Sequence, residues 1–95
     1  MTGVSFADNV LKVEGDLTLA SVTAVLKQSK KFLSSNDLTI DLSDVKHSDS
    51  AGLALLCEWR REAGRLGATY RFLHAPSQLC KLATLSRVNT LLNLE

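Results

Sequence analysis

The sequence predicts an α/β fold in the order β-β-α-β-α-β-α, with a mostly parallel four-stranded sheet packed with helices, and three observations carry that prediction. After an initial pair of strand-like runs, strands alternate with helix-period runs, which requires crossover connections and hence parallel pairing. Leucine fills 18 of the 95 positions while aromatic residues make up 5%, so the core is aliphatic, unlike the aromatic and β-branched interior of a sandwich. One proline, five scattered glycines and no internal repeat leave no linker, and residues 1–95 read as a single domain.

Val4 and Phe6, then Val10, Leu11 and Val13, form two short β-like runs around Ala7-Asp8-Asn9. Asn and Asp tolerate left-handed backbone, so this is a hairpin turn, and Gly15-Asp16 is expected to close the second strand. From Thr18 to about Leu33 the residues Leu19, Val22, Leu26 and Leu33 recur at helical spacing, with Lys27, Lys30 and Lys31 in the last turns, where cations suit the helix dipole. Ser34-Ser35-Asn36-Asp37 breaks the pattern. LTIDLS then alternates, Leu38, Ile40 and Leu42 against Thr39, Asp41 and Ser43, as a strand does. A polar connection leads to a second helix over Ala51–Leu66, ended by Gly67, and Thr69–Leu73 is a further strand. Pro76 fits the first turn of a third helix, whose Leu79, Leu82, Ala83 and Ser86 share a face. The tail VNTLLNLE stays unassigned.

Composition removes several function classes. A formal charge of +1 gives no basic footprint for a phosphate backbone, so nucleic acid is not an expected partner. The first ten residues, MTGVSFADNV, lack the charged and apolar regions of a secretory signal, and no run reaches the ~18 apolar residues of a membrane span, so a cytoplasmic protein without direct membrane insertion is expected. Cys57 and Cys80 fall in predicted helices without CxxC or matching His spacing, so buried thiols are expected, with no disulfide and no metal. No G-x-x-x-x-G-K-[ST] is present, and no cofactor is expected.

The informative segment is DLSDVKHSDSAGLALL, residues 41–56, which runs from the central strand into the second helix. One of Ser48, Asp49 and Ser50 caps that helix, and capping preference puts Ser48 first. The remaining hydroxyl stands at the carboxyl end of a strand, where open α/β sheets bind ligands and partners. A phosphate on Ser50 would meet the positive end of the helix dipole, so the position can serve as a switch. Gly52 lets another backbone approach closely. His47, Asp49 and Ser50 supply the residue types of a hydrolytic triad, but neighbours on one short loop do not point at each other as base and nucleophile must, and Ser48 stands where G-x-S-x-G needs glycine. No catalytic residue is assigned.

These residues resemble the STAS domain family, named for sulfate transporters and anti-sigma-factor antagonists. The specific part is Ile40-Asp41-Leu42-Ser43, Val45 and Asp49-Ser50-Ala51-Gly52-Leu53, and Gly15-Asp16-Leu17 is similar to the family's G-E-L-D loop, with Thr18 in place of the usual Asp. The resemblance makes Ser50 the equivalent of the antagonists' regulatory phosphoacceptor. The continuation AGLALLCEWRREAGRLG resembles the small stand-alone STAS subunits of the Mla phospholipid-transport ABC system. That implies a cytoplasmic, non-catalytic subunit that binds the ABC ATPase at the inner-membrane face and supports the complex maintaining outer-membrane lipid asymmetry. The alternative is an anti-sigma-factor antagonist whose partner is an anti-sigma serine kinase acting on Ser50.

On the second helix, Leu53, Leu56, Cys57, Ala63 and Gly64 share a face, Leu55, Trp59 and Leu66 widen its edge, and Glu58, Arg61, Glu62 and Arg65 lie opposite. Leu55 and Trp59 either touch a neighbouring helix or form a partly exposed patch beside Ser50 that anchors a partner, as Trp often does. Asp49, Ser50, Ala51, Gly52, Leu55 and Trp59 are therefore the interface candidates. Arg60 falls inside the apolar arc and must reach water, a carboxylate or a partner.

Overall fold

The computed structural model describes residues 3–92 and 94. Strands β1 (Gly3–Ala7) and β2 (Val10–Leu17) form an antiparallel hairpin in which Val4 faces Val13 and Ala7 faces Val10. Asp8 and Asn9 make its two-residue turn with φ of 52° and 61°, the left-handed pair that matches the twist of the flanking strands. Strand β3 (Leu38–Ser48) lies parallel to β2, with Leu11 beside Ile40 and Leu17 beside Ser48, and β4 (Tyr70–Leu73) lies parallel to β3, with Phe72 beside Ile40. The sheet order is β1-β2-β3-β4, one antiparallel and two parallel pairings, as the alternation of elements predicts.

Both central strands outrun their expected ends. Strand β2 does not close at Gly15-Asp16 but continues to Leu17, through register shifts against β3 between Lys12 and Glu14 and between Gly15 and Asp16, with Gly15 at φ 92°. Such bulges bend the strand and break its period of two. The buried positions of β3 are accordingly Leu38, Ile40 and Leu42, then Val45 and Ser48 at a spacing of three, which is why DVKHS reads as a loop.

Helix α1 spans Val22–Ser29 and runs into a 3-10 turn at Lys30–Phe32. It starts four residues later than the periodicity predicts, because Thr18–Ser21 forms a turn of its own: the Ser21 hydroxyl accepts the Thr18 N–H at 3.0 Å and donates to the Asp16 carbonyl at 2.6 Å. Helix α2 spans Ser50–Leu66 and ends on Gly67 at φ 71°, with the Ala68 N–H returning to Ala63 O at 2.9 Å, a Schellman-type closure that needs a residue without Cβ strain. Helix α3 spans Ser77–Leu85, with Pro76 as its cap in extended backbone and not as its first helical residue. Of the unassigned tail, Asn89–Leu92 forms α4, while Asn93 and Glu95 lie outside the described residues.

The helices cover one face of the sheet, where Leu11, Val13, Ile40, Leu42, Tyr70 and Phe72 are buried. Lys12, Asp41 and Arg71 alternate with them on the uncovered face. There the Ser43 N–H donates to Asp41 Oδ1 at 3.0 Å, and Lys12 pairs with Asp44 at 3.1 Å. Partial burial raises the Asp41 carboxyl, but the hydrogen bonds from Ser43 outweigh it and the group rests below its ordinary value. Neither Cys57 nor Cys80 is fully buried as expected: both are free thiols of intermediate exposure.

Candidate functional site

The carboxyl ends of β2 and β3 meet the start of α2, and one carboxylate organises the junction. Asp49, not Ser48, is the N-cap of α2: it sits in extended backbone (φ −140°, ψ −168°), and its Oδ1 accepts the Ala51 N–H at 2.9 Å and the Gly52 N–H at 3.3 Å. Its Oδ2 accepts the Leu19 N–H at 3.2 Å, and its own N–H donates to Leu17 O at 3.2 Å. Ser48 cannot cap because it is still part of β3. It is buried, and its N–H and hydroxyl both point to Gln78 Oε1 at 3.3 and 3.4 Å. Gln78, on α3, carried no sequence signal for this role.

Gly52 explains how α2 comes so near the sheet. A Cβ on it would lie 2.4 Å from Leu17 O and 3.0 Å from Leu17 Cβ, so the backbone that glycine admits belongs to β2 of the same chain. Gly52 is buried there, which makes it part of the scaffold and not a surface a partner can touch. Ser50, the first residue of α2, is exposed, and Ala51 is half-buried. Among the described residues, no hydrogen bond joins His47, Asp49 and Ser50 to one another, and the Asp49 carboxylate is held by three backbone N–H groups. A triad has no base in this arrangement.

Leu55 and Trp59 do not form an exposed patch. Trp59 is 0% exposed and Leu55 is buried, because α1 lies alongside α2 and covers that edge of its apolar arc. The Trp59 indole N–H donates to Ser29 Oγ at 3.0 Å, and Ser29 donates to Leu26 O at 2.8 Å, so a buried polar atom on each helix is satisfied by the other. Gly64, placed on the apolar face by the helical wheel, is exposed. Arg60 resolves its position in the arc by donating Nη1 to the Tyr70 carbonyl at 3.2 Å, on the open edge of β4. The Tyr70 hydroxyl donates to Ser34 O at 2.7 Å and accepts the Ser34 N–H at 3.0 Å, and burial pushes the phenol above its ordinary value.

The residue that sequence reading misplaced is Leu19. Counted as part of the buried stripe of α1, it precedes the helix and is 79% exposed. The signal that could have found it is Thr18-Leu19-Ala20-Ser21, where hydroxyl residues three apart mark a turn before the helix. Among the described residues no group of three or more His, Cys, Asp or Glu is placed to hold a metal ion.

The chain matches the family model described as "Mlab, STAS domain" over residues 2–93. It is 41% identical over 76 residues to the intermembrane phospholipid transport system binding protein MlaB of Haemophilus influenzae, covering 75% of this chain and 72% of that protein. Among solved structures, an anti-sigma factor antagonist from Thermotoga maritima superposes with a TM-score of 0.78 at 14% identity, covering 96% of this chain and 82% of that one. One from Mycobacterium paratuberculosis superposes with a TM-score of 0.66 at 21% identity, covering 99% and 83%. At these identities the two structures share the fold.

Proposed function

The chain belongs to the Mlab STAS domain family, and from that membership we propose that it is a non-catalytic accessory subunit of an intermembrane phospholipid-transport system, bound to its ABC ATPase through the Ser50 end of α2. The observation that carries this reading is the division of labour at the junction. Asp49, Gly52 and Ser48 are committed to contacts within the chain, and Ser50 is exposed on the turn they build. Ser50 and Ala51 are the direct contacts in this reading, while Asp49 and Gly52 shape the surface from beneath. The similarity to MlaB, an intermembrane phospholipid transport system binding protein, supports the choice of system; in this reading the subunit supports a transporter that maintains outer-membrane lipid asymmetry, from the cytoplasmic face of the inner membrane.

The fold shared with anti-sigma factor antagonists and the exposed hydroxyl of Ser50 favour one second reading, a regulator released from an anti-sigma serine kinase by phosphorylation at Ser50. The test is affinity capture of the tagged protein co-expressed with the ATPase of its transporter. A stable stoichiometric complex that Ser50→Asp weakens, without a phosphorylated fraction in the intact mass of protein from its own cells, is the expected result. Capture of a kinase in place of the ATPase, or a phosphorylated fraction at Ser50, overturns it.

A further inference from the structure

Helices α2 and α3 end in the same way, with one difference. In both, a left-handed residue stands just past the helix and the next N–H returns to a carbonyl five residues back, Ala68 to Ala63 O and Val88 to Ala83 O, each at 2.9 Å. In α2 the left-handed residue is Gly67, and in α3 it is Arg87, at φ 60°. Glycine is the usual choice there, because a Cβ in this region is strained. Asp8, Asn9 and His74 are the other non-glycine residues with positive φ among those described, and their types tolerate it. Arginine is not one of those types, so the fold keeps a cation at a strained position that glycine would fill without strain.

Arg87 stands in a stretch of one charge sign. From Ala63 to Leu94 the chain has no acidic residue and carries Arg65, Arg71, Lys81 and Arg87, although the whole chain is balanced at +1. Lys81 and Arg87 are exposed on either side of Leu85, which is 80% exposed, and Leu91, on α4 just beyond the turn, is 55% exposed. The acidic residues of the adjoining α2, Glu58 and Glu62, line the cavity with Leu26 and Lys30, on the side of α1. Between Gln78, which reaches Ser48, and Leu85, helix α3 rises about 10 Å, so this corner is separate from the Ser50 end of α2.

We propose that the α3–α4 corner is a peripheral membrane contact, in which Leu85 and Leu91 dip into the headgroup boundary of an anionic lipid surface while Lys81 and Arg87 reach its phosphates. Projecting aliphatic side chains with cations beside them are what such a surface binds. The charge also selects against other occupants. A second copy meeting this one through the same patch about a two-fold axis would set cations against cations. Nucleic acid would answer the charge and leave both leucines in water. An acidic protein would answer both, but the corner is bounded by Lys81 and Leu91, whereas a stable protein interface draws on roughly 20–30 residues a side. With so few groups the lipid contact is weak and salt-sensitive.

Co-sedimentation of the full chain with vesicles tests this, comparing equal parts of phosphatidylglycerol and phosphatidylcholine with phosphatidylcholine alone at low salt. Binding is expected on the anionic vesicles and should be lost at about 0.5 M salt. Arg87→Gly should bind about fivefold more weakly and yet melt at or above the wild-type temperature. A purely structural Arg87 would leave binding unchanged. Leu85→Glu should bind at least about tenfold more weakly, while Leu19→Glu, the same charge change at an equally exposed leucine, should bind as wild type, with circular dichroism confirming the fold of each. No binding to anionic vesicles, equal binding to neutral ones, wild-type binding by Arg87→Gly or an equal loss for Leu19→Glu overturns the assignment. Retention on immobilised polyglutamate without vesicle binding also overturns it and gives the corner to an acidic protein. The ATPase reading, tested at Ser50, stands or falls separately.

Discussion

Gly52→Ala puts the junction between β2 and α2 to its sharpest test. The added methyl would sit 2.4 Å from the Leu17 carbonyl oxygen and 3.0 Å from Leu17 Cβ, and ordinary contact with that oxygen requires the strand to retreat by about 1 Å. The obstacle is backbone at the carboxyl end of a central strand, so no rotamer change relieves it. Overpacking of this kind costs typically about 1–3 kcal/mol. The retreat also stretches two hydrogen bonds already at 3.2 Å, Asp49 N–H to Leu17 O and Leu19 N–H to Asp49 Oδ2, each worth about 0.5–1.5 kcal/mol. Alanine's better helix propensity returns about 1 kcal/mol at most, so a net loss of about 3 kcal/mol is expected, out of a total of roughly 5–14 for a chain of this length.

Gly64→Ala isolates the clash. It lies in the same helix, and its added Cβ meets nothing within 4 Å, so it should gain about 0.5–1 kcal/mol from propensity alone. Urea unfolding followed through Trp59, the only tryptophan and fully buried, reads both. The midpoint should fall by about 1–3 M for Gly52→Ala and rise slightly for Gly64→Ala. A Gly52→Ala protein within about 0.5 kcal/mol of wild type would refute the close approach and the scaffold role assigned to this glycine.

Three further outcomes follow from the same geometry. Ser29→Ala leaves the Trp59 indole N–H buried without its acceptor and should cost about 1–3 kcal/mol in urea unfolding, whereas a neutral result would mean that the nitrogen finds another partner. Asp49→Ala removes the α2 cap and the Leu19 tether together, and a loss of about 1–2 kcal/mol in thermal melts is expected, with no loss showing that the cap lies elsewhere. The Tyr70 phenol, raised by burial, titrates higher in the folded chain than in the unfolded one. Its stabilisation is complete below pH ~10 and is lost as pH rises through the folded value. Unfolding measured between pH 8 and 11 should show a decline in the wild-type chain that Tyr70→Phe flattens, and parallel profiles would exclude the phenol as its source.

The elements with an uninterrupted period were legible in the sequence: the Asp8-Asn9 hairpin, the alternation of LTIDLS, and the long apolar stripe of α2 closed by Gly67. What escaped depends on contacts between elements. The bulges that carry β2 past Gly15-Asp16 exist only against β3, and they displace the period of β3 by one residue where it would have revealed the strand. Which of Ser48, Asp49 and Ser50 caps α2 follows from where β3 stops pairing with Leu17, a tertiary fact that local preference does not hold. Leu19 fits a helical stripe by spacing, yet Ser21 ends that stripe by turning its hydroxyl back on Asp16. The segment 41–56 was identifiable as the candidate site from its residues. Its division into buried scaffold and exposed contact was not, because Gly52 and Trp59 acquire their roles from Leu17 and Ser29, far away in the chain.

That division also weighs the two functional readings against each other. A phosphate on Ser50 gains from the positive end of α2 only if that end is free. Here the Asp49 carboxylate already occupies it through the Ala51 and Gly52 N–H groups, and the segments on either side, Leu17–Leu26 and Ser50–Cys57, offer no cation. A second anion on the adjacent residue would repel the first, loosen the cap and with it the tether to Leu19. The local electrostatics thus make phosphorylation disruptive to the surface that carries it. In the transporter reading proposed above the same reasoning makes Ser50→Asp a disruption of the site and not a mimic of an active state.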